Sequence, residues 1–191
     1  MHSSKSTTEN AGFLLTNRNG SYCSFFCTPS SRYQGLFHFD KKTMEMYKFI
    51  ENIELSGHVE SIKNEGYCAH RKKCHLTETF VMPAGFESLI YELGKIHDID
   101  LILDCRNSYD HRQYGRHYEV SEENDCIIVK FIKRTNKRED DTDGVKEFEL
   151  YLAIKSNKPV YKKNNAWIER KYSYDEERNS KPFHRHVYNA L

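Results

Sequence analysis

Apolar and polar residues alternate with a period of two along most of this chain, which predicts β-strands rather than helices. The clearest run is 146–156, in which apolar residues from Phe148 to Ile154 occupy every second position. Shorter runs recur throughout the sequence, separated by turn signals such as Asn19-Gly20, a dipeptide typical of tight hairpins. The principal runs that predict strands are 13–15, 22–27, 44–55, 58–62, 74–82, 99–105 and 126–134.

About ten short strands with almost no helix predict an all-β fold, a single antiparallel β-sandwich of the supersandwich kind. We expect residues 1–11 to form a disordered tail and residues 12–191 to form one domain. A short helix is expected near 174–180, because Ser173 is a suitable N-cap and acidic residues follow it. The C-terminal run 181–191 has no visible strand partner, so we expect it to be exposed and to mediate association.

The charge and composition of the chain indicate which partners and which cellular location to expect. The net charge of the 191 residues is +1, from 29 basic and 28 acidic side chains, so we expect no nucleic-acid partner. No apolar stretch approaches the roughly 20 residues of a membrane helix, and the first residues are polar, so we expect no membrane association and a cytoplasmic location. The six cysteines are then expected to be free thiols.

The segment 106–119 concentrates side chains suited to sugar recognition. It holds three Arg, two His, one Asp and three Tyr within fourteen residues. Sugar hydroxyls are bound by planar, forked hydrogen-bonding groups, and aromatic faces cover the apolar side of a sugar ring. The segment therefore predicts either a sugar site that includes Tyr109, Asp110 and His111, or a long exposed loop. The single tryptophan, Trp167, is either a core residue or a sugar platform.

Metal and hydrolytic sites are less well supported by the residue pattern. The segment 68–75 offers two thiols and two imidazoles, but its Cys-x-His-x3-Cys-His spacing does not match a zinc finger. In a strand, Cys74 and His75 would also point to opposite faces. We therefore predict no metal and no cofactor. The sequence marks no pair of glycosidase carboxylates and no nucleophile elbow, so no catalytic residue is assigned. A small hydrolase using Asp110 and His111 is a weaker alternative.

The segment 13–39, FLLTNRNGSYCSFFCTPSSRYQGLFHF, resembles the start of the N-terminal domain of glycogen debranching enzymes of the amylo-alpha-1,6-glucosidase type. That family has the order Leu-Leu-Thr-Asn, Gly, Tyr and then Arg-Tyr-His-Gly-Leu at similar spacing, and Gln34 stands where its histidine is usual. Weaker similarities follow at 75–93, 103–115 and 172–180. The matching residues of the first motif are Leu14, Leu15, Thr16, Asn17, Gly20, Tyr22, Arg32, Tyr33, Gly35 and Leu36.

The resemblance implies a non-catalytic β-sandwich domain of a debranching-type protein. Such a domain assists a separate (α/α) barrel, whose carboxylates hydrolyse α-1,6-glucosidic branches and have no matching positions in this sequence. The implied partners are a glycogen-like α-glucan and the barrel, as a domain or as another chain. We expect the loops carrying Arg32-Tyr33 and Tyr109-Asp110-His111 to lie at one end of the sandwich. The alternative is a stand-alone β-sandwich binding or scaffold protein with no glucan role. Substrate- or interface-binding roles are thus assigned to Arg32, Tyr33, Gly35, Tyr109, Asp110, His111 and Trp167.

Overall fold

A computed structural model of the protein describes residues 11–135, 144–157, 166–174 and 185–190. The described residues contain fourteen strands. In chain order these are β1 (Gly12–Thr16), β2 (Tyr22–Phe26), β3 (Gly35–Asp40), β4 (Glu45–Leu55), β5 (Val59–Asn64), β6 (Cys68–Lys73), β7 (Leu76–Val81), β8 (Ile90–Leu93), β9 (Ile99–Asn107), β10 (Arg116–Glu123), β11 (Cys126–Arg134), β12 (Lys146–Lys155), β13 (Ala166–Arg170) and β14 (Arg185–Asn189).

The strands form three antiparallel sheets, which confirms the prediction of an all-β, sandwich-like fold. A seven-stranded sheet has the order β1-β2-β3-β4-β9-β14-β13. A four-stranded sheet runs β5-β6-β7-β8, and a three-stranded sheet runs β10-β11-β12. One hydrophobic core joins them, with Phe25 and Leu103 from the seven-stranded sheet, Phe80 from the four-stranded sheet and Val129 from the three-stranded sheet. The two smaller sheets therefore lie against the large one.

The alternation seen in the sequence is realised as an inward and an outward face. In β1, Phe13 and Leu15 are buried, whereas Leu14 between them is 54% exposed. The hairpin predicted at Asn19-Gly20 joins β1 to β2. Gly20 adopts a positive φ of 96°, and the side chain of Asn17 accepts hydrogen bonds from the turn, one of them 2.8 Å from the amide of Asn19. The turn therefore lies where the sequence signal places it.

Two strand predictions need correction. The C-terminal run was predicted to lack a strand partner, which is wrong, because β14 pairs with both β13 and β9 and its Val187 is fully buried. The strand predicted for 74–82 begins only at Leu76. Cys74 has a φ of +50° and forms the turn between β6 and β7 together with His75, so the two residues do not alternate across a strand.

Some expectations fall on residues outside the described ranges. The helix predicted near 174–180 lies there apart from Tyr174, and the tail predicted for 1–11 lies there apart from Ala11. Within the described ranges, the structure contains no helix that is long and apolar enough to span a bilayer.

Candidate functional site

A groove of about 630 Å³ opens where the start of β4, the loop between β9 and β10, and the start of β12 meet. It mixes aromatic rings with carboxylates, an amide and a guanidinium, and its volume is within the range of small-molecule sites. The loop of 108–115 supplies the central part of its wall. The lining residues are Thr43, Glu45, Tyr47, Asn107, Tyr109, Asp110, Arg112, Glu147 and Phe148.

The guanidinium of Arg112 bridges two carboxylates in the wall of the groove. Arg112 donates through Nη1 and Nη2 to the two carboxylate oxygens of Glu147, each at 2.7 Å. The same guanidinium donates through Nε and Nη2 to the two oxygens of Asp110, each at 2.9 Å. Because Glu147 lies on β12 and Asp110 lies in the loop, Arg112 fixes the loop against the edge of the three-stranded sheet. Bidentate pairs of this kind give geometric precision as well as energy.

The electrostatics of Asp110 follow from this arrangement. Burial alone would raise the pKa of its carboxyl group. The hydrogen bonds from Arg112 and the nearby charge of Lys133 outweigh burial, so the pKa lies below its ordinary value of 3.8. The two carboxylates that flank Arg112 in turn raise the pKa of its guanidinium. Asp110 is therefore an acceptor of hydrogen bonds at neutral pH and not a donor of protons.

An exposed aromatic ring lies beside these charged groups. Tyr109 is 78% exposed at the tip of the loop, where the side chain of Asn107 accepts a hydrogen bond of 3.0 Å from its amide. Tyr47, which is buried, and Phe148, which is half-buried, form another part of the wall, with ring centroids 5.3 Å apart. The groove thus offers a free aromatic face next to fixed polar atoms.

The structure brings Arg32 and Tyr33 to this same end of the molecule. Arg32 donates from Nη1 to the ring of His111, 2.7 Å away, although the two residues are 79 positions apart in sequence. Its Nη2 donates to the hydroxyl of Tyr33 at 2.6 Å. The two loops therefore lie together as expected, beside the groove that Asp110 lines. The binding roles assigned to these residues stay predictions.

Two of the other assigned residues lie elsewhere. Gly35 is buried, with a φ of +120°, and a Cβ added there would lie 2.1 Å from the carbonyl oxygen of Ile50. Gly35 therefore has a structural role in the backbone, because only a residue without a Cβ lets β3 approach β4 so closely. Trp167 does not line the groove. Its ring packs edge-on against Tyr118 and Tyr188, and the guanidinium of Arg116 lies 4.6 Å from its centroid.

Sequence reasoning missed a set of buried charges behind the groove. Lys48 and Glu51 on β4 are 1% and 0% exposed and form an ion pair. Lys48 also lies 3.5 Å from Asp104, which accepts a hydrogen bond of 2.7 Å from Nε of Arg106. A strand position that carries a charge usually faces solvent, so nothing in the local pattern of β4 pointed to a buried network.

This network reaches the groove itself. Arg106 donates from Nη1 to the carbonyl oxygen of Asp110 at 3.1 Å, and Lys133 lies 3.6 Å from the carboxylate of Asp110. Lys48 donates to the carbonyl oxygen of Arg32 at 3.0 Å. Buried charges are tolerated only when they are paired and hydrogen-bonded. Both loops of the site are therefore anchored to ionic groups inside the sandwich.

Comparison with known protein families, curated proteins and solved structures finds no match to this chain. The resemblance of residues 13–39 to debranching enzymes accordingly stays a prediction from the sequence.

Proposed function

We propose that this chain is a non-catalytic β-sandwich domain that binds a glycogen-like α-glucan and assists a separate (α/α) barrel in hydrolysing α-1,6-glucosidic branches. The observation that carries the proposal is the groove, in which the exposed ring of Tyr109 lies beside the carboxylates of Asp110 and Glu147. The resemblance of the first motif to debranching enzymes supplies the choice of glucan and of partner.

The chemistry of the groove suits a sugar chain. The carboxylate oxygens can accept hydrogen bonds from the hydroxyl groups of a pyranose ring. The amide of Asn107 can accept or donate them, and Tyr109 offers a face for the apolar side of the ring. Arg112 holds both Asp110 and Glu147 in place before a ligand arrives. Preorganised polar groups lower the entropy that binding costs, which favours recognition of a flexible polymer.

The same contacts argue for binding without hydrolysis. A glycosidase needs a carboxyl group whose pKa is raised, so that it stays protonated and can protonate the leaving group. In this groove the pKa of Asp110 is lowered, and Glu147 is held by the same guanidinium. This counts against a glycosidase in which Asp110 is the general acid.

Binding is tested by titrating the purified chain with maltoheptaose in a calorimeter and by electrophoresis through gels that contain glycogen. We expect retardation by glycogen, and we expect Tyr109→Ala to weaken affinity about tenfold, which is about 1.4 kcal/mol. The matched control is Tyr151→Ala, because Tyr151 is 56% exposed on β12 and does not line the groove. If the two variants lost affinity for glucan equally, the binding site would lie outside the groove.

The alternative, a stand-alone binding or scaffold protein with no glucan role, predicts that neither glycogen nor maltoheptaose binds. The role of the barrel is tested separately, by looking for a neighbouring reading frame that encodes an (α/α) barrel and by measuring whether its product binds this chain. If the chain binds glucan but no such partner is found, the protein is better described as a free-standing glucan-binding domain.

A further inference from the structure

Three side chains at the tip of the β5–β6 hairpin direct potential metal ligands to one point. They are Glu65, Cys68 and His70. The sulfur of Cys68 lies 3.4 Å from Nε2 of His70 and 3.6 Å from Oε2 of Glu65. The third side of this triangle, from Nε2 of His70 to Oε2 of Glu65, is 3.9 Å. Among the described residues, the cluster lies apart from the groove, since none of the three lines it.

These separations match the edges of a tetrahedral zinc site. With Zn–S near about 2.3 Å and Zn–N or Zn–O near about 2.0–2.1 Å, sulfur lies about 3.5 Å from a nitrogen or oxygen ligand, and nitrogen and oxygen lie about 3.4 Å apart. The observed distances of 3.4, 3.6 and 3.9 Å depart from these values by about half an ångström at most. An ion could therefore be held with only small side-chain movements.

A second layer of contacts fixes the ligand atoms. Nδ1 of His70 lies 3.1 Å from the hydroxyl of Thr79 on the neighbouring strand, which leaves Nε2 to face the cluster. Metal-bound histidines characteristically engage their other ring nitrogen in this way. Lys63 contacts the other carboxylate oxygen, Oε1 of Glu65, at 2.6 Å. Oε2 of Glu65, the oxygen nearest to Cys68 and His70, is therefore the one placed to bind an ion.

The turn that carries the cluster is itself well defined. The amide of Glu65 donates to the carbonyl oxygen of Cys68 at 2.9 Å, and Gly66 has a positive φ of 85°. The amide of Gly66 donates to the side chain of Asn64 at 2.9 Å, and that side chain donates to the carbonyl oxygen of Leu14 at 3.1 Å. The hairpin tip is thus tied to β1 of the large sheet, so the three ligands do not depend on a loose loop.

We propose that Glu65, Cys68 and His70 form a zinc-binding site with one coordination position left for water or for a ligand. The thiolate and the carboxylate together balance the charge of Zn²⁺. A mixed set of sulfur, nitrogen and oxygen ligands suits zinc, which accepts all three. Three protein ligands with an open fourth position are the arrangement of zinc sites that exchange a ligand, whereas structural sites are closed by four. This site was not expected from the sequence, where Glu65 lies outside the segment 68–75 that suggested metal ligands.

The opposite end of the same hairpin provides a natural control. Cys74 lies 3.8 Å from Nδ1 of His58, so this pair offers the same two ligand types, and no third metal-ligand side chain groups with it in the described part of the chain. If any adjacent cysteine and histidine sufficed, both ends would bind zinc. The proposal requires that only the end with Glu65 does.

The test is titration of the full chain with Co²⁺ under reducing conditions, followed by displacement with Zn²⁺. We expect one equivalent of Co²⁺ to give thiolate charge-transfer absorption and the intense visible bands of four-coordinate cobalt, which Zn²⁺ then removes. Cys68→Ser and His70→Ala should each weaken affinity at least tenfold, whereas Cys74→Ser should leave the spectrum and the affinity unchanged. Thr79→Val should weaken affinity about tenfold without abolishing the thiolate band, since it acts through His70.

Circular dichroism of each variant shows whether it is folded, so that a loss of metal binding can be told from a loss of structure. Cys68 is buried, so its substitution can affect folding. Glu65→Gln and His70→Ala alter half-buried or exposed side chains and decide the question if Cys68→Ser does not fold. Absence of a thiolate band in the wild type, unchanged affinity in His70→Ala, or an equal loss in Cys74→Ser would each overturn the proposal.

Discussion

Two parts of the interior of this sandwich, an aromatic end around Phe80 and a charged end around Lys48, have opposite chemistry. Between β1, β2 and β7 the interior is aromatic. Phe80 lies 4.8 Å from Phe13 and 5.6 Å from Phe25, measured between ring centroids. Beside β4, β9 and the start of β10 the interior also holds charges, with Lys48 and Asp104 almost wholly removed from solvent, although the same strands give Leu103 and its neighbours to the hydrophobic core. The same sheet therefore borders an apolar region and a charged region of the interior, which are held together in different ways.

Burial of the aromatic side chains stabilises the fold directly, because it removes apolar surface from water. Burial of the charges costs free energy that pairing offsets only when every partner is in place. A charged interior is therefore a poor way to gain stability, but it is an effective way to fix one arrangement of the attached loops. Since the network contacts the backbone of Arg32 and of Asp110, we infer that the aromatic end supplies stability and the charged end positions the groove.

The aromatic end is not wholly apolar. Arg71 and Glu78 form a buried pair on β6 and β7, and the guanidinium of Arg71 lies 5.2 Å from the ring centroid of Phe80. Arg71 also donates to the carbonyl oxygen of Ile53 at 2.9 Å, which ties the four-stranded sheet to β4. This single pair joins two sheets, whereas the larger network at the other end reaches the surface groove.

The largest expected effect is at the aromatic end. Phe80 is fully buried among three other aromatic rings, so Phe80→Ala should lower the free energy of unfolding by about 3–5 kcal/mol, measured by urea denaturation. Phe86→Ala is the matched control, because Phe86 is 67% exposed, and it should cost less than about 0.5 kcal/mol. Similar losses in the two variants would mean that this cluster is not the main source of stability.

A smaller loss is expected at the charged end. The carboxylate of Glu51 accepts hydrogen bonds from Lys48, from Gln34 at 3.0 Å and from Tyr172 at 3.3 Å. Glu51→Gln keeps the shape but leaves the buried ammonium of Lys48 less well compensated, so it should cost about 2 kcal/mol in urea denaturation. It should also weaken maltoheptaose binding, since Lys48 anchors the loop of Arg32.

Two controls separate these effects. Glu149→Gln removes a carboxylate that pairs with Lys146 at 3.2 Å on the surface of β12, and it should cost less than about 0.5 kcal/mol. Phe80→Ala, under conditions where it remains folded, should leave the affinity for maltoheptaose unchanged. Weaker glucan binding in Phe80→Ala than in Glu51→Gln would reverse the roles that we infer for the two ends.

The architecture was predictable wherever the pattern is local. The bounds of β11, Cys126–Arg134, agree with the apolar run seen in the sequence, because alternation and β-branched residues report directly on a half-buried strand. The pairing of β14 with β9 was not predictable in the same way. Tyr188 faces Leu103 across the sheet, and no local signal reveals a partner that lies more than 80 residues earlier.

The candidate site was predictable only in part for the same reason. Tyr109, Asp110 and Arg112 fall within one polar segment, so their concentration in sequence indicated a site. Glu147 and Lys48 come from strands in which a charge ordinarily marks the solvent face, and their roles depend on distant partners. The metal cluster shows the same limit, since Glu65 precedes the cysteine and histidine spacing that the sequence offered.

The smallest expected effect concerns Asp110 at the charged end, where the loss of stability caused by a substitution should depend on pH. The folded pKa of Asp110 lies below its ordinary value of 3.8, so its carboxylate stabilises the fold fully above that value and loses this contribution as the pH falls through the folded pKa. Asp110→Asn should therefore cost about 1 kcal/mol near neutral pH, and the difference from the wild type should shrink below about pH 3.8. Urea denaturation of both proteins across this range measures the difference directly, so that titration of other carboxyl groups cancels.

Phe80→Ala is the control, because its loss of stability involves no proton and should persist in the same acid range. A deficit in Asp110→Asn that stays constant in acid would show that the contacts with Arg112 do not stabilise the fold through the charge of Asp110.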